Sequence, residues 1–319
     1  LKDPNGKVPA IVELLGQSNE ILDDMLWKEG NLPTGHLTTV RTGLPTVTWR
    51  LLNQGVTPSK STTAQITEHA GNLEAWSMVD CDLARLNGNI KAFRASEGMA
   101  FLEAMNQAMA GAIFNANVGT TPEEFTGFGP RYSTLSASNP ISQNVISGGG
   151  SGSVNCSIYL IGWGDNKIFG VFPKGSKAGI SHDDFGETTV TVTAGVGGQL
   201  MRAYEERWKW QAGLVVSDWR FAVRICNIDK TNLTTKASAA DLTELMIKAM
   251  YRIPSLKACK PVFYANRTVL EMLDIQRRDD VTSGGGLTYE NVDGKRVPKF
   301  RGVPIRICDQ LTNTEATVS

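Results

Sequence analysis

Two neighbouring segments constrain this chain most: a polar, threonine-rich hairpin within residues 31–66, and a long helical pattern over residues 83–116. Thr38-Thr-Val-Arg-Thr and Thr46-Val-Thr-Trp-Arg-Leu favour extended backbone, because branching at Cβ stiffens χ1. Gly35, Gly43, Pro45, Gly55 and Pro58 punctuate them, and a second polar arm, Lys60-Ser-Thr-Thr-Ala-Gln-Ile-Thr-Glu, follows. A two-stranded ribbon has no third strand to cover its apolar face, so it must lie on something. A neighbouring copy of the chain is the simplest support. Trp49, Leu51 and Leu52 are the large apolar groups in this ribbon. They are candidates for contact with a partner subunit, the alternative being that they pack on the chain's own core.

Between residues 83 and 116, Leu86, Ile90, Phe93, Phe101, Leu102, Met105, Met109, Ile113 and Phe114 fall near a 3.6-residue period. Gly88 and Gly98 weaken the first turns. A helix of about 30 residues spans about 45 Å and acts as a strut. Residues 8–30 read as a short helix stopped by Gly30. Strands are expected at 157–163, 167–173, 188–193 and across 213–228, with Val223 and Ile225 facing in and Arg224 facing out. The C-terminal part reads as a helix at 240–251, a strand at 261–265, a helix at 268–277 capped by Asn266 or Thr268, a short hairpin, and a strand at 303–308. Its core draws on Val262, Phe263, Leu270, Leu273, Ile305 and Ile307. The class is α+β.

Lys+Arg and Asp+Glu number 32 each in 319 residues. That balance lacks the clustered positive charge of a free-standing nucleic-acid binder, and it removes the repulsion that keeps copies apart. Five scattered cysteines, with no CxxC pair, read as reduced thiols in a cytosolic setting. No apolar run is long enough to span a membrane, and the opening Leu1-Lys-Asp-Pro-Asn-Gly is not a signal peptide.

Catalytic signals are weak. No Gly-x-Ser-x-Gly elbow surrounds any serine, and Gly148-Gly-Gly-Ser-Gly lacks the Gly-Lys-Ser/Thr of a phosphate loop. His182-Asp183-Asp184 is the nearest approach to an acid–base or metal cluster, and is read as a solvated, glycine-flanked loop. Tyr204, Trp208, Trp210 and Trp219 suggest base stacking, but Glu205 and Glu206 interrupt the basic residues among them. Core or subunit-contact tryptophans are the preferred reading. No catalytic residue, cofactor or metal is assigned.

The order of parts resembles the major capsid proteins of tailed double-stranded DNA phages, which share the HK97-like capsid fold, and in particular a podophage-type subgroup. The resemblance rests on Asn19-Glu-Ile-Leu-Asp-Asp-Met-Leu-Trp27, Asn31-Leu-Pro-Thr-Gly35, Arg41-Thr-Gly-Leu-Pro45 and Asn53-Gln-Gly-Val56. It continues through Ser59-Lys-Ser-Thr-Thr63, Phe101-Leu-Glu-Ala-Met-Asn106 and Pro122-Glu-Glu-Phe-Thr-Gly127, and then by layout, including Gly302-Val-Pro-Ile. It implies an N-terminal arm and helix (1–33), an extended loop reaching onto the adjacent subunit (34–72), and a peripheral domain with the spine helix 83–116 and a sheet (73–234). An axial domain of mixed α/β structure (235–300) and a C-terminal strand and tail (301–319) complete the layout.

The implied function is structural and non-enzymatic: self-assembly as pentamers and hexamers into an icosahedral shell enclosing the phage's double-stranded DNA without sequence-specific binding. Implied partners are a scaffolding protein, a portal protein and a decoration protein, with no membrane. The implied setting is the virion capsid, assembled in the cytoplasm of a bacterial host. Arg41, Trp49, Arg50, Leu51, Lys60 and Glu68 are the candidate intersubunit contacts. Some members of the fold lock their shells with a lysine–asparagine isopeptide bond; Lys60 lies in the arm, but no pattern identifies a partner for it. An encapsulin-like cargo compartment and a metal-dependent hydrolase using His182, Asp183 and Asp184 stand as the alternatives.

Overall fold

The computed structural model describes residues 17–86, 88–192, 198–236, 238–279, 287–292 and 295–319. The chain opens with one helical turn, α1 (Ile21–Asp24), and a short strand, β1 (Trp27–Glu29). This corrects the helix expected over 8–30, of which residues 8–16 lie outside the described set. The reason is a glycine. Trp27 pairs in parallel with Gly170, and a Cβ on Gly170 would meet the Trp27 ring at 2.7 Å. The missing side chain at Gly170 leaves room for the Trp27 ring against the strand it pairs with, and that packing overrides helical periodicity.

The hairpin follows as β2 (Gly35–Gly43) and β3 (Thr62–His69), antiparallel and isolated as a two-stranded sheet. Thr46–Leu51, expected as strand, is irregular. Pro45 and Pro58 lack N–H donors, so a ladder cannot be extended regularly past them. β4 (Gly71–Asp80) then enters the main sheet.

The long helix is two helices, α2 (Cys81–Leu86) and α3 (Ile90–Asn115). Gly88 has a φ of +73° and its N–H bonds Arg85 O at 3.1 Å, closing α2. The Asn89 side chain then caps α3 by accepting from Ala92 N at 3.1 Å. At 26 residues, α3 is about 39 Å long. It buries Gly98, Met105, Met109, Ala110, Ile113 and Phe114.

The short helix α4 (Phe128–Arg131) turns the chain into β5 (Val145–Ser147), β6 (Asn155–Trp163), β7 (Ile168–Phe172), β8 (Ile180–Thr191), β9 (Leu200–Val216) and β10 (Ala222–Asp229). Helices α5 (Lys230–Thr235) and α6 (Leu242–Arg252) precede β11 (Lys260–Ala265), and α7 (Arg267–Asp279) precedes β12 (Leu287–Val292), β13 (Lys295–Phe300) and β14 (Val303–Ile307). Among the described residues one sheet of twelve strands runs in the order β12-β13-β14-β11-β6-β7-β9-β4. β1, β5, β8 and β10 branch from it. β9 is 17 residues long and serves two neighbourhoods: its first part pairs with β4 and β8, its last part with β7.

Every residue of β6 is buried, and Phe114, Phe128, Tyr132, Tyr159, Trp163 and Tyr264 form a fully buried aromatic cluster beside it. The core residues expected in the C-terminal part take their places: Val262, Phe263, Leu273 and Ile305 are buried, while Leu270 and Ile307 are half-buried. Asn266 caps α7 by accepting from Val269 N at 2.9 Å. Asp241 caps α6 in the same way through Glu244 N.

Arg224 is a correction. It sits on the opposite face of β10 from Val223 and Ile225, but that face is also covered. Its guanidinium donates to Glu315 at 2.8 Å, Ser157 at 3.2 Å, and the carbonyls of Tyr132 and Gly129 at 3.0 and 3.3 Å. The C-terminal tail lies across this site. Asn155 and Glu315 exchange both backbone bonds, and Asn227 holds Val318 through its side chain. A buried cation needs this number of acceptors to offset its lost hydration.

Candidate subunit-contact surface

The arm is anchored at its root. His36 and Glu68 face each other across β2 and β3. Glu68 is buried, and its two carboxylate oxygens accept from the two terminal nitrogens of Arg131 at 2.7 and 2.5 Å. Arg131 is held in turn by its bonds to Thr126 O at 3.3 and 3.2 Å. This fork-on-fork pair fixes direction as well as charge. The His36 ring meets Phe169 edge-on at 5.5 Å, and its Nδ1 is buried without a hydrogen-bond partner. Burial, and then the nearby Lys28 ammonium, push the imidazole below its usual pKa. Asn31 adds a third tie, exchanging two bonds with the backbone of Leu37 at 2.7 and 2.8 Å.

Beyond Gly43 the arm touches little of its own chain. Leu44, Val47, Trp49, Leu51 and Leu52 are at least 70% exposed, with Trp49 fully so. This closes the alternative that the tip packs on its own core. The tip has only local order: Ser59 Oγ donates to Thr46 O at 2.8 Å, and Arg50 donates to Gln54 O at 3.3 Å. Arg41, Arg50 and Lys60 are exposed beside the apolar groups, and residues 38–67 carry no carboxylate. The arm is therefore an apolar, cationic surface. Of the six candidate contacts, Arg41, Trp49, Arg50, Leu51 and Lys60 share the exposed arm. Glu68 does not: its carboxylate is engaged by Arg131 inside the subunit.

The other chemical candidates resolve into structure. His182-Asp183-Asp184 lies on β8 rather than in a loop, so alternation sends its members to opposite faces. His182 stacks on Trp208 at 4.9 Å and bonds Glu206 at 3.0 Å; Asp183 pairs with Arg207 at 2.7 Å, and Asp184 with Arg94 at 2.6 Å. Burial raises the Asp184 carboxyl's pKa, but the bonds from Arg94 and Gly186 N outweigh it and hold the group below its usual range. Among the described residues no three His, Cys, Asp or Glu groups converge as metal ligands. Trp208 and Trp210 are buried; Trp208 stacks on Phe101 of α3 at 5.3 Å. No described helix is long and apolar enough to cross a membrane.

An element absent from the sequence reading is β4. Its inner face carries Leu73, Ala75, Ser77 and Val79, small enough for α3 to lie close. Its outer face carries Trp76 and Met78, both about half exposed. The large apolar groups thus point to solvent, the reverse of the pattern that marks a half-buried strand.

The arm is anchored and its apolar tip is uncovered, while His182, Asp183 and Asp184 are tied up with Glu206, Arg207 and Arg94, an arrangement that suits contact with another subunit better than catalysis. The sequence profile of the family described as Major capsid protein GP7 matches residues 3–319. The chain belongs to this family. This major capsid protein is also 35% identical to a chain in the electron cryomicroscopy structure of bacteriophage Epsilon15, with a TM-score of 0.79 over 99% of this chain and 94% of that one. A chain of the bacteriophage JBD30 capsid is 10% identical, with a TM-score of 0.48 over 94% of this chain and 93% of that one. Comparison with curated proteins finds no match. The capsid protein has the HK97-like fold, with α3 as its long helix and β2–β3 as its extended loop. Its role is structural: it is a major capsid protein of a tailed phage and forms an icosahedral shell.

Proposed function

We propose that the capsid protein assembles as pentamers and hexamers joined by their β2–β3 arms, and that the shell encloses double-stranded DNA without reading its sequence. The observation that carries this reading is the arm itself: a tip with Trp49, Leu51 and Leu52 in solvent, rooted rigidly at Glu68 and Arg131. A contiguous exposed apolar patch on a lone subunit marks an interaction surface. Arg41, Trp49, Arg50, Leu51 and Lys60 make the contacts with the neighbouring subunit, while Glu68 aims the arm. A closed shell repeats heterologous contacts, so each subunit must carry both a donor and a receiver surface. The balance of 32 cationic and 32 anionic residues supports loose enclosure of DNA rather than tight binding to it.

In this reading residues 34–72 are the extended loop, 73–234 the peripheral domain and 235–300 the axial domain around the symmetry centres, flanked by the N-terminal arm 1–33 and the C-terminal strand and tail 301–319. The sheet passes through the peripheral–axial division, because β6 pairs with β11 over five residues. The phage is of the podophage type. Scaffolding, portal and decoration proteins join assembly in the bacterial cytoplasm. Oxidative footprinting of free subunits and of shells tests the central contact: Trp49 is labelled in the first and protected in the second. Equal labelling of Trp49 in both refutes it.

A further inference from the structure

The outer face of β4, β9 and β8 carries a second exposed apolar surface with an unusual charge arrangement. Trp76 and Phe185 stack at 5.6 Å, nearly parallel, and are 45% and 48% exposed. Arg207 lies over both rings, at 5.6 and 5.9 Å. Met78, 55% exposed, extends the patch along β4. Phe185 is presented by a β-bulge: it is the extra residue where the register slips between the Asp184–Glu206 and Gly186–Glu205 pairs, and Gly186 takes a φ of +73° there. Aromatic side chains with an arginine, half exposed on a rigid sheet, are what the centre of a protein interface is made of.

The charges on this face are asymmetric. Arg207 is already paired with Asp183 at 2.7 Å, and Lys209 with Glu74 at 3.5 Å. Glu205 stands opposite Met78 in register, half-buried, and accepts from the Thr188 hydroxyl at 3.1 Å. Among the described residues no cation lies within ion-pair distance of it. The patch therefore offers apolar area and one carboxylate without a counter-charge. Its complement is an apolar segment carrying a cation without a counter-charge.

The chain itself contains that complement. Thr48-Trp-Arg-Leu-Leu52 sets Arg50 between two exposed apolar groups, in an arm without any carboxylate from residue 38 to residue 67. The geometry points to the Trp76–Met78–Phe185 face as the seat for the arm tip of a second copy, with Arg50 of the incoming arm meeting Glu205 and Trp49 covering the apolar rings. This assignment rests on the reading that the arm reaches a neighbouring subunit; it adds the surface that receives it.

A charge exchange tests it, on full-length chains and on shells recovered from expressing cells. Arg50→Glu and Glu205→Arg each place like charges across the contact and lower shell yield by about tenfold or more; the double variant restores it. A second measurement does not depend on yield. With Trp49→Cys and Met78→Cys in one chain, mild oxidation of shells links chains into disulfide-bonded multimers, which neither single-cysteine variant gives. A double variant as defective as the single ones, together with no multimers, overturns the assignment. The Trp49→Ser variant separates the two levels of failure. If it blocks assembly while the exchange gives no rescue, the arm reading stands and only the seat is wrong. If it assembles like the natural chain, the arm reading falls too, and the seat with it.

Discussion

Arg131 and Glu68 are 63 residues apart in sequence, yet they meet through two parallel bonds of 2.7 and 2.5 Å where the arm leaves the body of the subunit. The side chains are 19% and 9% exposed, so the pair works in a partly dry site. Two bonds in one plane resist rotation about the arm's root, whereas a single point charge would not.

Removing either partner strands the other. Glu68→Ala or Arg131→Ala is expected to cost about 3 kcal/mol in urea unfolding of the free subunit, and Arg131→Lys to recover only part of that. The double replacement Glu68→Leu with Arg131→Leu costs less than either alanine variant, because no buried charge is left unpaired. Equal additive losses would show that the pair is not coupled.

The arm root also carries a pH dependence. Unfolded, His36 titrates near about 6.5; folded, burial and Lys28 hold it lower. Between the two values the unfolded chain binds more protons, so stability is full above about pH 6.5 and falls as the pH drops through that window. His36→Gln removes this part of the slope. Unfolding free energies measured from pH 7 to pH 5 on both proteins check it; identical slopes contradict it.

The thiols give a third expectation. Burial pushes Cys156 and Cys308 up to about 12 and Cys226 to about 11, and it also raises Cys81 and Cys259. Only Cys259 is more than marginally accessible. Labelling of the folded subunit with a thiol reagent at neutral pH should therefore modify Cys259 first and leave the other four until unfolding. Early modification of Cys81, mapped by mass spectrometry, would contradict the packing of α2.

The arm and the long helix were readable because each obeys a local rule: β-branched residues between glycines and prolines, and a proline-free stretch rich in the helix formers Ala, Met and Leu; the apolar groups of α3 are spread around its axis, so composition rather than a single apolar stripe marks it. What failed was decided by distant neighbours. Residues 46–51 have strand composition, but β2 and β3 lose their pairing at Gly43 and Thr62. Trp27 leaves the helical pattern because Gly170, far along the chain, opens a place for its ring. Arg224 looked like a solvent-facing residue, yet Glu315 and the carbonyls of Gly129 and Tyr132 at the end of α4 enclose it. β4 was hidden because its outer face carries the large groups Trp76 and Met78 while Ala75 and Ser77 sit on its inner face. Glu68, also a candidate contact by its position in the arm, is bonded within the subunit by Arg131, a partner that only the fold brings to it.

The most direct measurement is an electron cryomicroscopy map of the assembled shell, read at the tip of the β2–β3 arm. The account predicts that residues 44–61 cross onto an adjacent subunit and that Trp49 is enclosed there. An arm folded back on its own subunit, or left in solvent with Trp49 uncovered, would contradict it.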